Sequence, residues 1–167
     1  MPIESLDQYE AKAFSQFGED GITDYIFATI GSGTFYFVEI GTQDGHECNT
    51  RFLREKLKWN GIQIDAKYEN PVINLKKHMV TQENIIDIFK SYDIPQKFDY
   101  FSLDIDGIDW YILYEVLTHY EVRAFVCEYN ACLGVKRDQV IEYDANFWEA
   151  GPYNIYHGAS LRAFYNL

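Results

Sequence analysis

An apolar, strand-forming run at residues 35–40 ends in a turn, residues 41–45, that has a glycine at each end. A second apolar run, residues 61–64, leads to Asp65, which lies 20 residues beyond Gly45. Glycine lets a backbone turn sharply and approach a ligand closely, and a carboxylate after the second strand can accept hydrogen bonds from both hydroxyls of a ribose. The turn lacks the G-x-G-x-x-G pattern of dinucleotide sites. The pattern therefore predicts a nucleoside-binding α/β domain and disfavours a nicotinamide cofactor.

The rest of the chain alternates between helical patterns and short apolar runs. Helices are predicted over 22–30, after Asn49 or Thr50, at Pro71, over 85–89 and over 112–120, and strands over 78–81, 98–105 and 124–129. This alternation predicts a doubly wound, mostly parallel α/β sheet. We expect a single domain over 1–167, with a helical cap at 1–33, a cofactor-binding core at 34–130, and a substrate loop with the start of a last helix at 131–167.

The formal net charge of −12 argues against a polyanionic partner. Two basic clusters, residues 51–58 and 76–77, are interpreted as solvated helix faces, so we expect neither nucleic acid nor a membrane as a partner. The three cysteines lack C-x-x-C spacing and are expected to be reduced. Neither a signal-peptide pattern nor an apolar run of about 20 residues occurs, and we expect a cytoplasmic protein.

Polar side chains stand near the ends of the predicted strands. They are Glu39, Asp65, Asp104, Asp106, Glu128 and Asn130. Ligands of open parallel sheets bind beyond the carboxyl ends of the strands, although each such residue could instead cap the helix that follows. The oxygen ligands of Asp104, Asp106, Glu128 and Asn130 suit Mg²⁺, Ca²⁺ or Mn²⁺. A divalent cation at this rim is therefore expected.

Six motifs in order along the chain resemble those of a FkbM-like group of class I S-adenosylmethionine-dependent methyltransferases. They are SQFGEDG at 15–21, WNG at 59–61, TQEN at 81–84, SLDIDG at 102–107, EYN at 128–130 and GASL at 158–161. The turn at 41–45 with Asp65 is similar to the first two motifs of class I methyltransferases in general. The resemblance implies the Rossmann-like methyltransferase fold, with its C-terminal strand hairpin lacking in these 167 residues.

The resemblance also implies a binding role for particular residues toward S-adenosylmethionine. Gly41 and Gly45 would approach its methionine and ribose, and Glu39 would orient its amino group through water. Asp65 would hold the ribose diol, and Gln82 with Glu83 would contact adenine. Gln16 and Asp20 either close over the cofactor or cap their own segment.

Methyl transfer to a hydroxyl requires alignment of the acceptor and removal of its proton. Asp104, Asp106 and His157 are the expected catalytic residues, although His157 could instead cap a helix or stack. Asp104, Glu128 and Asn130 are similar to the metal ligands of catechol O-methyltransferases, which implies Mg²⁺ or Mn²⁺. Gly107 stands where those enzymes have a lysine base.

We therefore expect an O-methyltransferase acting on a hydroxyl of a sugar, a glycan or a small natural product. One alternative is a catalytically silent cofactor-binding or assembly module of a larger glycan-modifying protein, and another is a metal-free N- or C-methyltransferase. The aromatic residues of 143–156 either form a substrate wall or anchor a loop. An uncovered sheet edge predicts a homodimer or a longer multidomain chain.

Overall fold

The computed structural model describes residues 5–146 and 156–167. Within these ranges the helices are α1 (Glu19–Ile30), α2 (Arg51–Glu55), α3 (Ile85–Ser91), α4 (Asp109–His119) and α5 (Leu161–Tyr165). The strands are β1 (Tyr36–Ile40), β2 (Asn60–Asp65), β3 (Leu75–Lys77), β4 (Lys97–Leu103) and β5 (Glu121–Cys127). None of the helices in the described ranges is long and apolar enough to span a bilayer.

The five strands form one sheet in the order β3-β2-β1-β4-β5, and every neighbouring pair is parallel. The chain builds outward from β1 to β3 and then returns to place β4 on the other side of β1. Ile40 pairs with Ile64 of β2 and with Leu103 of β4, so the carboxyl ends of the three central strands are level. The predicted α/β class with a parallel sheet is confirmed.

Apolar side chains alternate between the two faces of the sheet, as a period of two residues requires. Val38 and Ile40 of β1 pack in a core cluster with residues of α3, α4 and α5. Phe37, the residue before Val38, points to the other face and packs in a second cluster with Phe27 of α1 and Leu53 of α2. Helices therefore cover both faces, which is the burial that parallel sheets need.

The third strand differs from the prediction. It is the three-residue segment Leu75–Lys77 and not 78–81. Asn74, in the left-handed conformation with φ of 56°, makes the turn from the helical turn Pro71–Ile73 into this strand. Only Leu75 of the three side chains is buried, so the strand has almost no apolar pattern in the sequence. Residues 78–81 instead lead from the sheet toward α3.

Candidate functional site

A cleft of about 490 Å³ opens where the order of the strands reverses, beyond the carboxyl ends of β1, β2 and β4. Its lining includes Gly41, Asp65, Tyr68, His78, Met79, Val80, Asp104, Asp106 and Ala145. This is where open parallel sheets bind ligands, and the volume is within the usual range of about 300–1,000 Å³ for small-molecule sites. The structure thus brings Gly41, Asp65 and Asp104 to one cleft.

Gly41 allows the end of β1 to lie directly against the end of β4. Its φ is +90°, and a Cβ atom at this position would lie 1.6 Å from the carbonyl oxygen of Asp104. The Gly41 N–H donates to the Ile64 carbonyl at 2.9 Å, which joins the turn to β2 as well. Gly45 does not line the cleft, since its α-carbon faces the side chain of Ile73.

Asp65 lines the cleft and also holds two loops together. Its Oδ2 accepts the Gln43 N–H at 2.8 Å, and its Oδ1 accepts the N–H groups of Lys67 and Tyr68 at 2.7 and 3.1 Å. A carboxylate has about four lone-pair sites, so these bonds leave one acceptor site, on Oδ2. The carboxylate can therefore accept one strong hydrogen bond from a ligand hydroxyl, where two were expected.

Glu39 is buried and does not line the cleft. Its carboxylate accepts the N–H groups of Asn49 and Thr50 at 2.8 and 3.1 Å, together with the Thr50 and Ser102 hydroxyls. These contacts fix the chain that follows the glycine turn. Glu39 thus supports the shape of the turn, and its expected water-mediated contact with a cofactor stays a prediction.

Gln82 and Glu83 lie outside the lining of the cleft. Their neighbour is Tyr143, whose hydroxyl accepts the Gln82 N–H at 3.2 Å and donates to Glu83 at 2.6 Å. His78, Met79 and Val80 line the cleft on this side. These three residues were not predicted to line a site because 78–81 was expected to be a strand, whereas β3 ends at Lys77 and they follow it into the cleft.

Three carboxylates cluster beyond the end of β4: Asp104 and Asp106 line the cleft, and Glu128 lies beside them outside its lining. Carboxylate oxygens of Asp104, Asp106 and Glu128 lie within 4.8 Å of one another. Partial burial, followed by the charges of Glu128, Asp106 and Asp109, raises the pKa of Asp104 to about 7. Burial and the charges of Asp106 and Asp109 also raise the pKa of Glu128. Like charges this close favour protonation or a bound cation.

Asp109, which is not among the site residues predicted from the sequence, shapes the loop that bears this cluster. Its buried carboxylate accepts the N–H groups of Ile105 and Gly107, both at 2.9 Å. Between them Asp106 has φ of 58°. The signal was an aspartate three residues before the predicted helix 112–120, where side-chain capping is common; in the structure it is the first residue of α4.

Asn130 and His157 lie beside the carboxylate cluster, but Asn130 has a structural role. Its Nδ2 donates to the His157 carbonyl at 2.9 Å, and its Oδ1 accepts the Cys132 N–H at 2.9 Å. The oxygen expected to bind a metal is therefore already hydrogen-bonded. His157 is half-buried, and its positive charge when protonated acts to lower the pKa of Glu128.

Two further expectations concern the N-terminal segment and the aromatic loop. Asp20 caps its own segment, because its Oδ2 accepts the N–H groups of residues 13, 14 and 15 at 2.6–2.9 Å. Gln16 is exposed. Of the predicted aromatic wall, Phe147, Trp148 and Tyr153 lie outside the described residues.

Comparison of the chain with protein-family models, with curated proteins and with solved structures finds no match. The function is therefore argued from the geometry and chemistry of the cleft.

Proposed function

We propose that this chain is an S-adenosylmethionine-dependent O-methyltransferase that acts on a hydroxyl of a sugar, a glycan or a small natural product, with help from a divalent cation. The observation that supports the proposal is the single cleft lined by Gly41, Asp65 and Asp104. Its two ends differ in chemistry. One end has the tight turn at Gly41 and the Asp65 carboxylate, which can accept a hydrogen bond from a ribose hydroxyl. The other end has the clustered carboxylates.

The residues at the first end fit an adenosyl group. Asp65 keeps a free acceptor site for a ribose hydroxyl, and Met79 with Val80 offers apolar surface for a flat base. Gly41 keeps the backbone close to the cleft. When bound, S-adenosylmethionine supplies a methyl group on a sulfonium, which an acceptor oxygen can displace in one step. The net charge of −12 favours the approach of this cationic ligand.

The second end fits both a proton acceptor and a metal. Without a cation, Asp104, with a pKa of about 7, is suited to take the proton of an acceptor hydroxyl near neutral pH. Asp104, Asp106 and Glu128 would hold a divalent cation through oxygen ligands alone, and the crowding of their charges favours one. Such a cation would lower the pKa of a bound hydroxyl. His157 beside Glu128 is the second candidate for the base.

Binding and transfer are tested separately. Calorimetry with S-adenosylmethionine and its demethylated product is expected to show one site per chain, at least tenfold weaker in Asp65→Asn. Asp87→Asn, an exposed change on α3, is the control and is expected to leave affinity unchanged. Absence of binding in the wild type would reject the proposal.

Transfer is then assayed on hydroxyl acceptors, including deoxysugar glycans, with and without a chelator. Activity that falls with the chelator and in Asp104→Asn supports the cation-assisted reaction. Full activity under both conditions would favour the metal-free N- or C-methyltransferase. Tight binding with no transfer to any acceptor would favour the alternative, a silent cofactor-binding module.

A further inference from the structure

Residues 139–146, here called the crossing segment, follow β5 in the chain and pass across the domain to contact the residues just before α3. Backbone hydrogen bonds fasten its first half: Ser160 donates to the Gln139 carbonyl at 2.9 Å, and Ile141 donates to the Gly158 carbonyl at 3.2 Å. The hydroxyl of Tyr111, on α4, also donates to the Ile141 carbonyl, at 2.8 Å. The second half includes Ala145, which lines the cleft.

Tyr143 joins the second half to the rest of the domain. Its hydroxyl donates to Glu83 Oε2 at 2.6 Å and accepts the Gln82 N–H at 3.2 Å. It therefore bonds the two residues that come before Asn84, the N-cap residue of α3. Its ring packs against that of Tyr111, with centroids 4.9 Å apart. After Tyr143, the hydrogen bonds between described residues are local to the segment, from Asn146 to the Asp144 carboxylate.

We propose that Tyr143 is a positioning residue that holds Ala145 in place as a wall of the cleft. Among the described contacts it is the last attachment to α3 and α4 before Ala145. The wall itself follows from the geometry, whereas its role in retaining a ligand rests on the proposed function. Gln82 and Glu83 then act on the cleft indirectly, through Tyr143, in place of the direct adenine contact expected from the sequence.

The test removes only the Tyr143 hydroxyl. Tyr143→Phe keeps the ring that packs on Tyr111, so the fold is expected to persist. Tyr114→Phe is the matched control, because Tyr114 lies on α4, is exposed, and makes no side-chain hydrogen bond within the described ranges. Hydrogen exchange of residues 139–146 and the dissociation rate of S-adenosylhomocysteine are measured in both variants and in the wild type.

In Tyr143→Phe we expect exchange in the crossing segment and ligand release to become about three- to tenfold faster, the effect of one or two lost hydrogen bonds. Glu83→Ala should have a similar effect. The double variant should accelerate exchange and release by less than the two single effects combined, since both changes remove the same hydrogen bond between Tyr143 and Glu83. Glu83→Gln, which keeps an oxygen acceptor, should largely restore the wild-type rates.

Rates in Tyr143→Phe equal to those in Tyr114→Phe would overturn the proposal. Faster exchange with unchanged release would also overturn it, since the segment would then not be a wall for the ligand. If the wild type binds no S-adenosyl ligand, the proposed function fails while the exchange measurement still decides the role of Tyr143. Faster exchange would then support it as the attachment of the cleft wall, and unchanged exchange would reject it.

Discussion

Asp99 and Asp104, near opposite ends of β4, have pKa values shifted in opposite directions. Burial acts to raise the pKa of Asp99, but N–H donors of Gly33, Phe35 and Thr34, together with Arg123, outweigh it and lower the pKa. Among the described residues, Asp104 has no such set of backbone donors. Its pKa rises to about 7 through burial and neighbouring carboxylates.

The difference separates a structural carboxylate from a candidate functional one. At the amino end of the strand, Asp99 ties the chain that enters β1 to the sheet, with bonds of 2.7–3.0 Å from three backbone N–H groups. At the carboxyl end, Asp104 faces the cleft beside Asp106 and Glu128. A carboxylate that lacks compensating donors in a cleft is poised for a proton, a cation or a ligand.

The largest expected effect is that of Gly41→Ala, which tests whether the functional end of β4 depends on close contact with the turn after β1. The new Cβ would overlap the Asp104 carbonyl at a positive φ, so we expect a loss of about 4 kcal/mol or more in the free energy of unfolding. The control is Gly31→Ala, where φ is also positive but no atom lies within 4 Å of the new Cβ. Its expected loss is about 1–3 kcal/mol. Equal losses in urea titrations would show that the contact is unimportant.

Asp99→Asn tests the amino end of β4, where the carboxylate has a structural role. An amide nitrogen would replace an acceptor oxygen among several donors, so we expect a loss of about 2–3 kcal/mol at pH 7, measured by urea titration. Because the folded pKa is lowered, the stabilisation by Asp99 is complete above its unfolded value of about 4 and is lost as the pH falls through the folded pKa. The difference between wild type and variant should therefore shrink in acid. A constant difference from pH 7 to pH 2 would contradict this view.

Asp104→Asn should raise the free energy of unfolding near neutral pH, whereas Asp99→Asn should lower it. The folded pKa of about 7 exceeds the unfolded value of about 4, so the metal-free wild type loses stability as the pH rises from about 4 to about 7. The variant lacks this loss. Because the side chain is only partly buried and solvent that reaches it screens its charge, we expect a gain of about 1 kcal/mol above pH 7 and no difference below pH 4. Thermal melts with a chelator check it, and a less stable variant at pH 8 would refute the electrostatic argument.

Adding magnesium or manganese should produce the smallest change in the stability of the folded protein. At a concentration equal to its Kd, a cation that binds only the folded state adds about 0.4 kcal/mol, or about 1 °C in Tm. The shift should grow with concentration in the wild type and be absent from Asp104→Asn. Asp99→Asn should retain it, since Asp99 lies at the other end of β4. A shift that survives in Asp104→Asn would place the cation elsewhere.

The sequence was sufficient to predict the central strands and the position of the cleft. Buried parallel strands such as β1 and β4 appear as apolar runs, and the ends of parallel strands meet at one edge, so Asp65 and Asp104 could be assigned to a common site. The short strand β3 could not be predicted, because only Leu75 of its residues is buried. Residues 78–80, which were assigned to that strand, were therefore not predicted to line the cleft.

The roles of polar side chains depended on partners that are distant in the sequence. Glu39 was expected to contact a cofactor through water, and its bonds to Thr50 and Ser102, 11 and 63 residues away, give it a structural role that the sequence did not indicate. Asn130 likewise suits a metal until its Oδ1 is seen to accept the Cys132 N–H, while its Nδ2 donates to the His157 carbonyl, 27 residues away. Residue type predicts which chemistry is available, but only the tertiary structure decides whether hydrogen bonds within the protein already use it.

The most direct test of the central claim is a crystal structure of the chain with S-adenosylhomocysteine and Mn²⁺. The account predicts adenosyl density in the cleft beside Gly41, a ribose hydroxyl within hydrogen-bond distance of Asp65 Oδ2, and anomalous signal from manganese at Asp104 and Glu128. A cleft without density at saturating ligand, or a ligand bound away from Asp65, would contradict it.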